Sequence, residues 1–174
     1  MGKKSGLVVL DFDDTLFFTQ QSLKLATKQL LKRTDLNKAA IRKMPNALKG
    51  RIYTLAYSKY KDYSKPNLAL IKRLERLRKE NAIIVLTARG PKLISHTRYL
   101  IDKHSIDLDG IYHRKNVNGM DEAWKMGQLK KYSKRYKTIS LYEDKMENIA
   151  FIRAGLSSKK ISYYLVTKSR IRKV

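Results

Sequence analysis

The chain has no cysteine among its 174 residues. Disulfides and thiolate metal sites are therefore excluded, and redox chemistry says nothing about compartment. No apolar run approaches the roughly 18 residues that a membrane-spanning helix needs. With only three prolines and eight glycines, there is no low-complexity linker, and no internal repeat is visible. Acidic residues are also scarce: 15 Asp and Glu face 39 Lys and Arg, a net charge of +24. A surface of that kind attracts polyanions, nucleic acid first and the anionic face of a membrane second. A merely solvated basic surface is the plain alternative, but +24 exceeds what solubility requires. The segment before the first apolar run is too short and polar for a signal peptide. Gly6 stands where a myristoylation pattern needs Ser or Thr. A cytosolic protein, or a viral protein in host cytosol, is expected.

What is present begins with Gly6-Leu7-Val8-Val9-Leu10, followed at once by Asp11-Phe12-Asp13-Asp14-Thr15. The apolar run reads as a buried strand over 7–11. If the chain stays extended through Asp13, Asp11 and Asp13 point the same way at the strand's C-terminal end. Open α/β sheets place their sites at that end. Residues 18–63 read as short polar helices, punctuated at Met44-Pro45-Asn46 and Lys49-Gly50. Pro66 opens an amphipathic helix with Leu70, Ile71, Leu74 and Leu77 on one side. Further strands are expected at 82–86, 108–112, 138–142 and 161–166, with helices after Gly90-Pro91, over 121–134 and to about Ala154. Asn116 to Gly119 reads as a loop and the tail as basic. Strand and helix alternate, which implies an α/β fold: a mostly parallel five-stranded sheet with helices on both faces. The helical stretch over 18–65 is too long for a simple crossover and reads as a small cap inserted into a single domain.

Three strand ends carry polar groups: Asp11 and Asp13, Thr87, and Glu143 with Asp144. If the strands at 7–11, 82–86 and 138–142 are neighbours, these ends converge, and Lys125 lies on the helix before the last of them. Nucleophile, acid/base group, hydroxyl, cation and metal ligand together are what a phosphoryl group needs.

In these residues the chain resembles the haloacid-dehalogenase superfamily of phosphohydrolases. Asp11-Phe12-Asp13-Asp14-Thr15 matches its Asp-x-Asp-x-Thr motif. Val85-Leu86-Thr87-Ala88-Arg89 matches the apolar strand ending in Thr. Ala123-Trp124-Lys125 is similar to the lysine motif, and Tyr142-Glu143-Asp144 to the acidic one. The motifs stand in the family's order across nearly the whole chain. A narrower resemblance joins Tyr142-Glu143-Asp144-Lys145 and Ile152-Arg153-Ala154-Gly155 to the phosphatase half of phage polynucleotide kinase-phosphatases. Thr87-Ala88-Arg89 likewise resembles the Thr/Ser-x-Arg form in RNA- and DNA-repair members. No Gly-x-x-x-x-Gly-Lys-Ser/Thr loop is present, so no P-loop kinase half is expected within this chain.

The resemblance implies a Rossmann-like three-layer core and assigns roles. Asp11 would attack phosphorus. Asp13, which the dehalogenases lack, would act as acid and base. Thr87 and Lys125 would hold the transferring group, with Thr15 and Arg89 as further substrate contacts. Mg²⁺ would be bound by Asp11 and Asp144 with the Asp13 backbone carbonyl. One departure is Asn148, where a second acid is usual; Glu143 is a possible substitute. Lys130 competes with Lys125, and Trp124 favours the latter.

Each residue has a plain structural alternative. Thr87 and Asp144 are good helix caps, Asp11 and Asp13 fit a strand-end turn, and Lys125 is one lysine among many. His96, His104 and His113 lack metal-ligand spacing. Tyr53, Tyr57, Tyr60 and Tyr63 suit either base stacking or a stripe packed on the sheet. Residues 18–80 hold 17 basic and 4 acidic residues, so a basic insert beside an acidic centre is expected to favour a phosphate-rich substrate. The expected activity is Mg²⁺-dependent hydrolysis of a terminal phosphate on DNA or RNA. The alternatives are a mononucleotide phosphatase, or a basic nucleic-acid-binding protein of a nucleoprotein assembly on the same fold.

Overall fold

A computed structural model describes residues 4–115, 119–156, 160–168 and 170–174. At its centre lies β1 (Gly6–Leu10), all five residues buried. It pairs in parallel with β4 (Asn81–Thr87) on one side and β6 (Thr138–Glu143) on the other, with Leu7 opposite Ala82 and Ile139. Beyond β4 lies β5 (Gly110–His113), and beyond β6 lie β7 (Ile161–Thr167) and an antiparallel edge strand, β8 (Arg170–Lys173).

A strand buried on both faces reads as a continuous apolar run, as β1 and β4 do. Side chains then alternate between two cores. Val8, Leu10 and Phe12 pack with Leu70 and Leu74 of α4 (Leu68–Leu77) and with Leu100 and Ile101 of α5 (Ile94–Lys103). Leu7 and Val9 pack on the other face with Leu129 of α6 (Asp121–Tyr132) and with Ile149 and Ile152 of α7 (Met146–Gly155). Asn67 caps α4 by accepting from the Leu70 amide at 3.2 Å. In α6, Asp121 and Glu122 occupy the first turn and Lys130 and Lys131 the last, the charge order that the helix dipole favours.

The two-residue strands β2 (Phe17–Phe18) and β3 (Lys65–Pro66) pair with each other and flank a helical insert. The insert carries α1 (Gln20–Leu31), α2 (Lys38–Arg42), α3 (Asn46–Tyr57) and a 3-10 turn at Lys61–Tyr63. Leu23, Ala26, Ile41, Ile52, Ala56 and Tyr57 form a separate apolar cluster that Leu93, from beyond the insert, joins.

The α/β architecture matches the sequence expectation; the details differ. Among the described residues the main sheet has six strands rather than five, because the basic tail forms β8. Arg170-Ile171-Arg172-Lys173 carries one apolar side chain, so an exposed edge strand reads as polar tail. Lys49-Gly50 does not break a helix: α3 runs through both. Gly in a helix interior costs about 1 kcal/mol relative to Ala, which the packing of α3 on α1 offsets. The third strand starts at Gly110 rather than Leu108. Of the expected loop at Asn116 to Gly119, residues 116–118 lie outside the described residues.

Gly6 is the tight point in the sheet. A Cβ there would sit 2.0 Å from Asn81 Oδ1 and 3.0 Å from Thr138 Oγ1. Asn81 is not free to retreat, because its Nδ2 donates to the Leu77 carbonyl at 2.8 Å. Gly6→Ala is therefore expected to lower stability by about 1–3 kcal/mol. In thermal unfolding the double variant with Asn81→Ala should recover part of that loss, a non-additive result that two independent sites would not give.

Candidate active site

The polar residues at the C-terminal end of β1 do not continue the strand. The Asp11 amide still bonds to the Tyr142 carbonyl at 2.9 Å. The chain then curls: the Phe12 carbonyl accepts from Leu16 at 3.0 Å and from Phe17 at 2.9 Å. Asp14 takes a left-handed conformation, φ 67°, which Asp tolerates better than most residues. The expected extension through Asp13 is thus corrected, and Asp11 and Asp13 reach different partners.

Asp11 faces Lys125. The Lys125 ammonium, on the second turn of α6, donates to Asp11 Oδ1 at 2.6 Å and to Glu143 Oε2 at 2.7 Å. Asp121, one turn earlier on the same helix, lies 3.3 Å away. The lysine side chain is 1% exposed. Burial alone would pull its pKa down, but the three carboxylates outweigh that and hold it well above the usual lysine range. Burial pushes Glu143 up, yet Lys125 brings it below the ordinary glutamate value. Asp11 behaves oppositely: burial, reinforced by Glu143 and Asp121, outweighs Lys125 and raises it to about 7. Asp144 is raised to about 8, by burial and by the charges of Asp11 and Glu143.

Carboxylate oxygens of Asp11, Glu143 and Asp144 lie within 4.8 Å of one another. Asp144 Oδ1 is buried without a hydrogen-bond partner. An all-oxygen cluster with a surplus of negative charge and an orphaned oxygen fits a hard divalent cation such as Mg²⁺. Both Glu143 oxygens are engaged, Oε2 by Lys125 and Oε1 by the Lys145 amide, whereas Lys125 takes only Oδ1 of Asp11, which leaves Asp11 and Asp144 as the better side-chain donors. Asn148 is buried beside this region and its Nδ2 has no partner.

Asp13 faces Arg89. The guanidinium donates from Nη2 to Asp13 Oδ1 at 2.8 Å and from Nε to Oδ2 at 3.1 Å. Its plane is held between the rings of Phe12, 4.3 Å away, and Tyr57, 4.1 Å away. The Arg89 amide donates to Thr87 Oγ1 at 3.2 Å. Arg89, expected to touch substrate, is instead buried and committed to Asp13. Asp14 accepts from the Thr19 amide and hydroxyl and pairs with Lys38 of α2 at 2.7 Å. Burial opposes its ionisation, but Lys38 and Thr19 hold it below the usual carboxylate range. Thr15 is buried, and its Oγ1 has no partner. Thr87 is fully buried at the end of β4.

No protein-family model matches the chain, and no curated protein matches it in sequence. Solved structures do match. A chain of the Pnkp1/Rnl/Hen1 RNA repair complex superposes with a TM-score of 0.61 at 19% identity, over 94% of this chain. This chain spans only 42% of that one. A haloacid dehalogenase-like hydrolase from Streptococcus pneumoniae gives 0.60 at 13% identity, covering 86% of this chain and 80% of its own. A HAD-superfamily hydrolase from Geobacter sulfurreducens gives 0.58 at 11%, covering 93% and 87%. The fold is that of the haloacid-dehalogenase hydrolases. On that fold, β1 sits between β4 and β6, so the three polar strand ends converge as expected.

Sequence reasoning did not find Asp121 or Lys38, and it named Tyr53 and Tyr57 for base stacking or packing without placing them at the site. Asp121 carried a legible signal, a carboxylate four residues before a lysine on a helix. Lys38 and the tyrosines reach the site only through the tertiary position of the insert.

Two outcomes test this electrostatic arrangement. Lys125→Met leaves buried carboxylates without their counter-charge, at a cost of about 3–5 kcal/mol. Those carboxylates then take up protons in the folded state that the unfolded chain releases above about pH 4. The deficit in thermal or urea unfolding should therefore grow from pH 5 to pH 8. In the parent protein, the raised values of Asp11 and Asp144, about 7 and about 8, make protons compete with Mg²⁺. Their contribution to stability falls as pH rises through that range, and Mg²⁺ binds the deprotonated forms. The Mg²⁺-induced rise in Tm should be small at pH 6, larger at pH 8, and lost in Asp144→Asn.

Proposed function

We propose that this chain is a Mg²⁺-dependent phosphohydrolase that works through an aspartyl-phosphate on Asp11, with a terminal phosphate of DNA or RNA as its substrate. One observation carries the reading. Asp11 on Lys125, Asp13 on Arg89, a buried Thr87 and an unsatisfied Asp144 meet at adjoining strand ends of a hydrolase fold.

An Asp11 carboxylate oxygen attacks phosphorus in line with the ester oxygen. The P–O ester bond breaks as the Asp11–phosphorus bond forms, and the leaving oxygen takes a proton from Asp13. Water then attacks the aspartyl-phosphate and gives its proton back to Asp13. Inorganic phosphate leaves and Asp11 is regenerated. Lys125 fixes the carboxylate it pairs with and neutralises charge beside it. Thr87 Oγ1 already accepts from the Arg89 amide, so its own proton is directed to a phosphoryl oxygen. The unpartnered Thr15 hydroxyl is a second donor. Arg89 is a positioning residue here, holding Asp13 by a two-point contact that a lysine would not reproduce. Mg²⁺, held by Asp11, Asp144 and the Asp13 backbone carbonyl, would supply charge neutralisation for the phosphoryl oxygens. The helical insert, residues 18–65, acts as a cap over the strand ends.

The nucleic-acid substrate is supported by the net charge of +24 and by likeness to a chain of an RNA repair complex. A free mononucleotide makes less use of that charge.

The test is a phosphate-release panel, with and without Mg²⁺, on 3′- and 5′-phosphorylated DNA and RNA, mononucleotides and an aryl phosphate. The expected result is Mg²⁺-dependent release, greatest on an oligonucleotide end and absent in Asp11→Asn. Release no greater than in Asp11→Asn on every substrate refutes hydrolysis. Mononucleotides far ahead of oligonucleotides at physiological salt refute the polymer substrate.

A further inference from the structure

The strongest unused feature is a column of stacked groups that leaves the site through the insert. It starts in the sheet core, where the rings of Phe17 and Phe12 stack at 5.0 Å. The Arg89 guanidinium lies over Phe12 at 4.3 Å and over Tyr57 at 4.1 Å. Tyr57 in turn stacks on Tyr53 at 5.7 Å, with 19° between the ring planes. Burial falls along the column: Phe12 and Tyr57 are buried, and Tyr53, the last ring, is only partly buried. The column is anchored to the chemistry at its middle, because Arg89 is the residue that holds Asp13.

Packing on the sheet, one of the two expectations for these tyrosines, does not describe them. Tyr57 and Tyr53 belong to the apolar cluster of the insert and touch the core through Arg89. Cations accompany the outer ring. Lys38 and Arg42, both on α2, act on the Tyr53 phenol, whose pKa burial raises and these two charges lower. Lys38 also lies within reach of the charges of Asp13 and Asp144. A ligand entering beside Tyr53 therefore meets a flat π-surface and two cations on its way to the carboxylates. Such surroundings suit a planar aromatic group joined to a phosphate.

Resting on the phosphohydrolase reading above, we propose that the Phe12–Arg89–Tyr57–Tyr53 column ends in a nucleobase seat. The side of Tyr53 turned away from Tyr57 stacks the base of the same nucleotide whose phosphate reaches Asp11. The column thereby makes the enzyme selective for phosphates borne by a base-carrying nucleotide. Stacking needs only a π-face, so the seat distinguishes base from no base and is tolerant of which base it holds. The Arg89 contact gives the seat a second role. A base on Tyr53 extends the stack that fixes Arg89, so occupancy of the seat steadies the acid/base residue.

Binding can be read separately from turnover. In an Asp11→Asn background, short oligonucleotides carry 2-aminopurine at the phosphorylated end, one set 3′ and one set 5′. Stacking on Tyr53 quenches the fluorophore. At least one probe should be quenched, and Tyr53→Leu should weaken its binding by about tenfold or more. Tyr53→Trp should restore it. A competitor with an abasic terminal nucleotide should compete about tenfold less well than one with a base, a comparison that needs no Tyr53 variant. Absence of quenching on both probes overturns the seat. So does equal competition by the abasic strand, or unchanged binding by a folded Tyr53→Leu protein. Failure of the phosphohydrolase reading looks different: no phosphate release from the parent protein on any substrate, whatever the quenching shows. Release that ignores the base leaves hydrolysis standing and removes the seat.

Discussion

The buried ammonium of Lys125 is the constraint around which the site is arranged. An ion taken out of water costs several kcal/mol unless charge and geometry compensate it. Here Asp11 at the end of β1, Glu143 at the end of β6 and Asp121 on α6 converge on one nitrogen. That requirement fixes α6 against the two central strands and leaves Asp11 little freedom. Compensation is also incomplete in the other direction. Asp144 joins Asp11 and Glu143 as a fourth carboxylate in the cluster, and Asp11 and Asp144 are pushed toward neutral pH by their burial and mutual repulsion. The pocket lacks positive charge in a protein that has a large excess of it elsewhere. Lys38 and Lys145 act on the cluster but do not bring Asp11 and Asp144 back to the usual carboxylate range, and a divalent cation would offset what remains.

Four consecutive residues after β1 are sent to three different partners. Asp11 goes to Lys125, Phe12 to the face of the Arg89 guanidinium, Asp13 to the edge of the same guanidinium, and Asp14 to Lys38 of the insert. An extended strand offers only two directions; the curl closed by the Phe12 carbonyl and the left-handed Asp14 offers more. The insert is tied to the sheet at two of these points, through Tyr57 on Arg89 and Lys38 on Asp14. Movement of the insert is thus coupled to the residue that positions Asp13. Mechanical coupling of this kind is a property of the stack and the ion pair, independent of any bound ligand.

Much of this was legible in the chain because it is carried by strong local signals. Leu7 to Leu10 and Ala82 to Leu86 are apolar runs that only a strand buried on both faces explains. Asp11 and Thr87 follow such runs directly and Asp144 follows the strand at 138–143, so their convergence needed only the strand order. What stayed hidden depends on distant residues. Arg89 read as a substrate contact because its position in the motif was visible and its partner, Asp13, was not. The curl after Asp11 rests on backbone bonds to Leu16 and Phe17 that no side-chain pattern announces. Lys38 is indistinguishable from its many neighbours until α2 brings it to Asp14. β8 was missed because an edge strand needs no more than one buried side chain.

The distribution of charge divides the work of recognition between two ranges. Exposed lysines act over about a Debye length, some 8 Å at physiological salt. On the proposed reading they draw a phosphate-rich chain toward the protein, but they cannot tell an end from the middle. The acidic pocket does the opposite at short range. Its uncompensated carboxylates repel phosphate until a cation is bound, so the basic surface alone does not fill the site. Between the two lies the stacked column, whose attraction is short-ranged, insensitive to salt and indifferent to net charge. On the proposed reading, each element covers what the others lack: the surface gathers polyanion, the column selects a base-bearing end, and the Lys125 cluster admits phosphate only in company with a metal ion. Raising salt should then erode the first without touching the second, which distinguishes a stacking contact from one more basic patch.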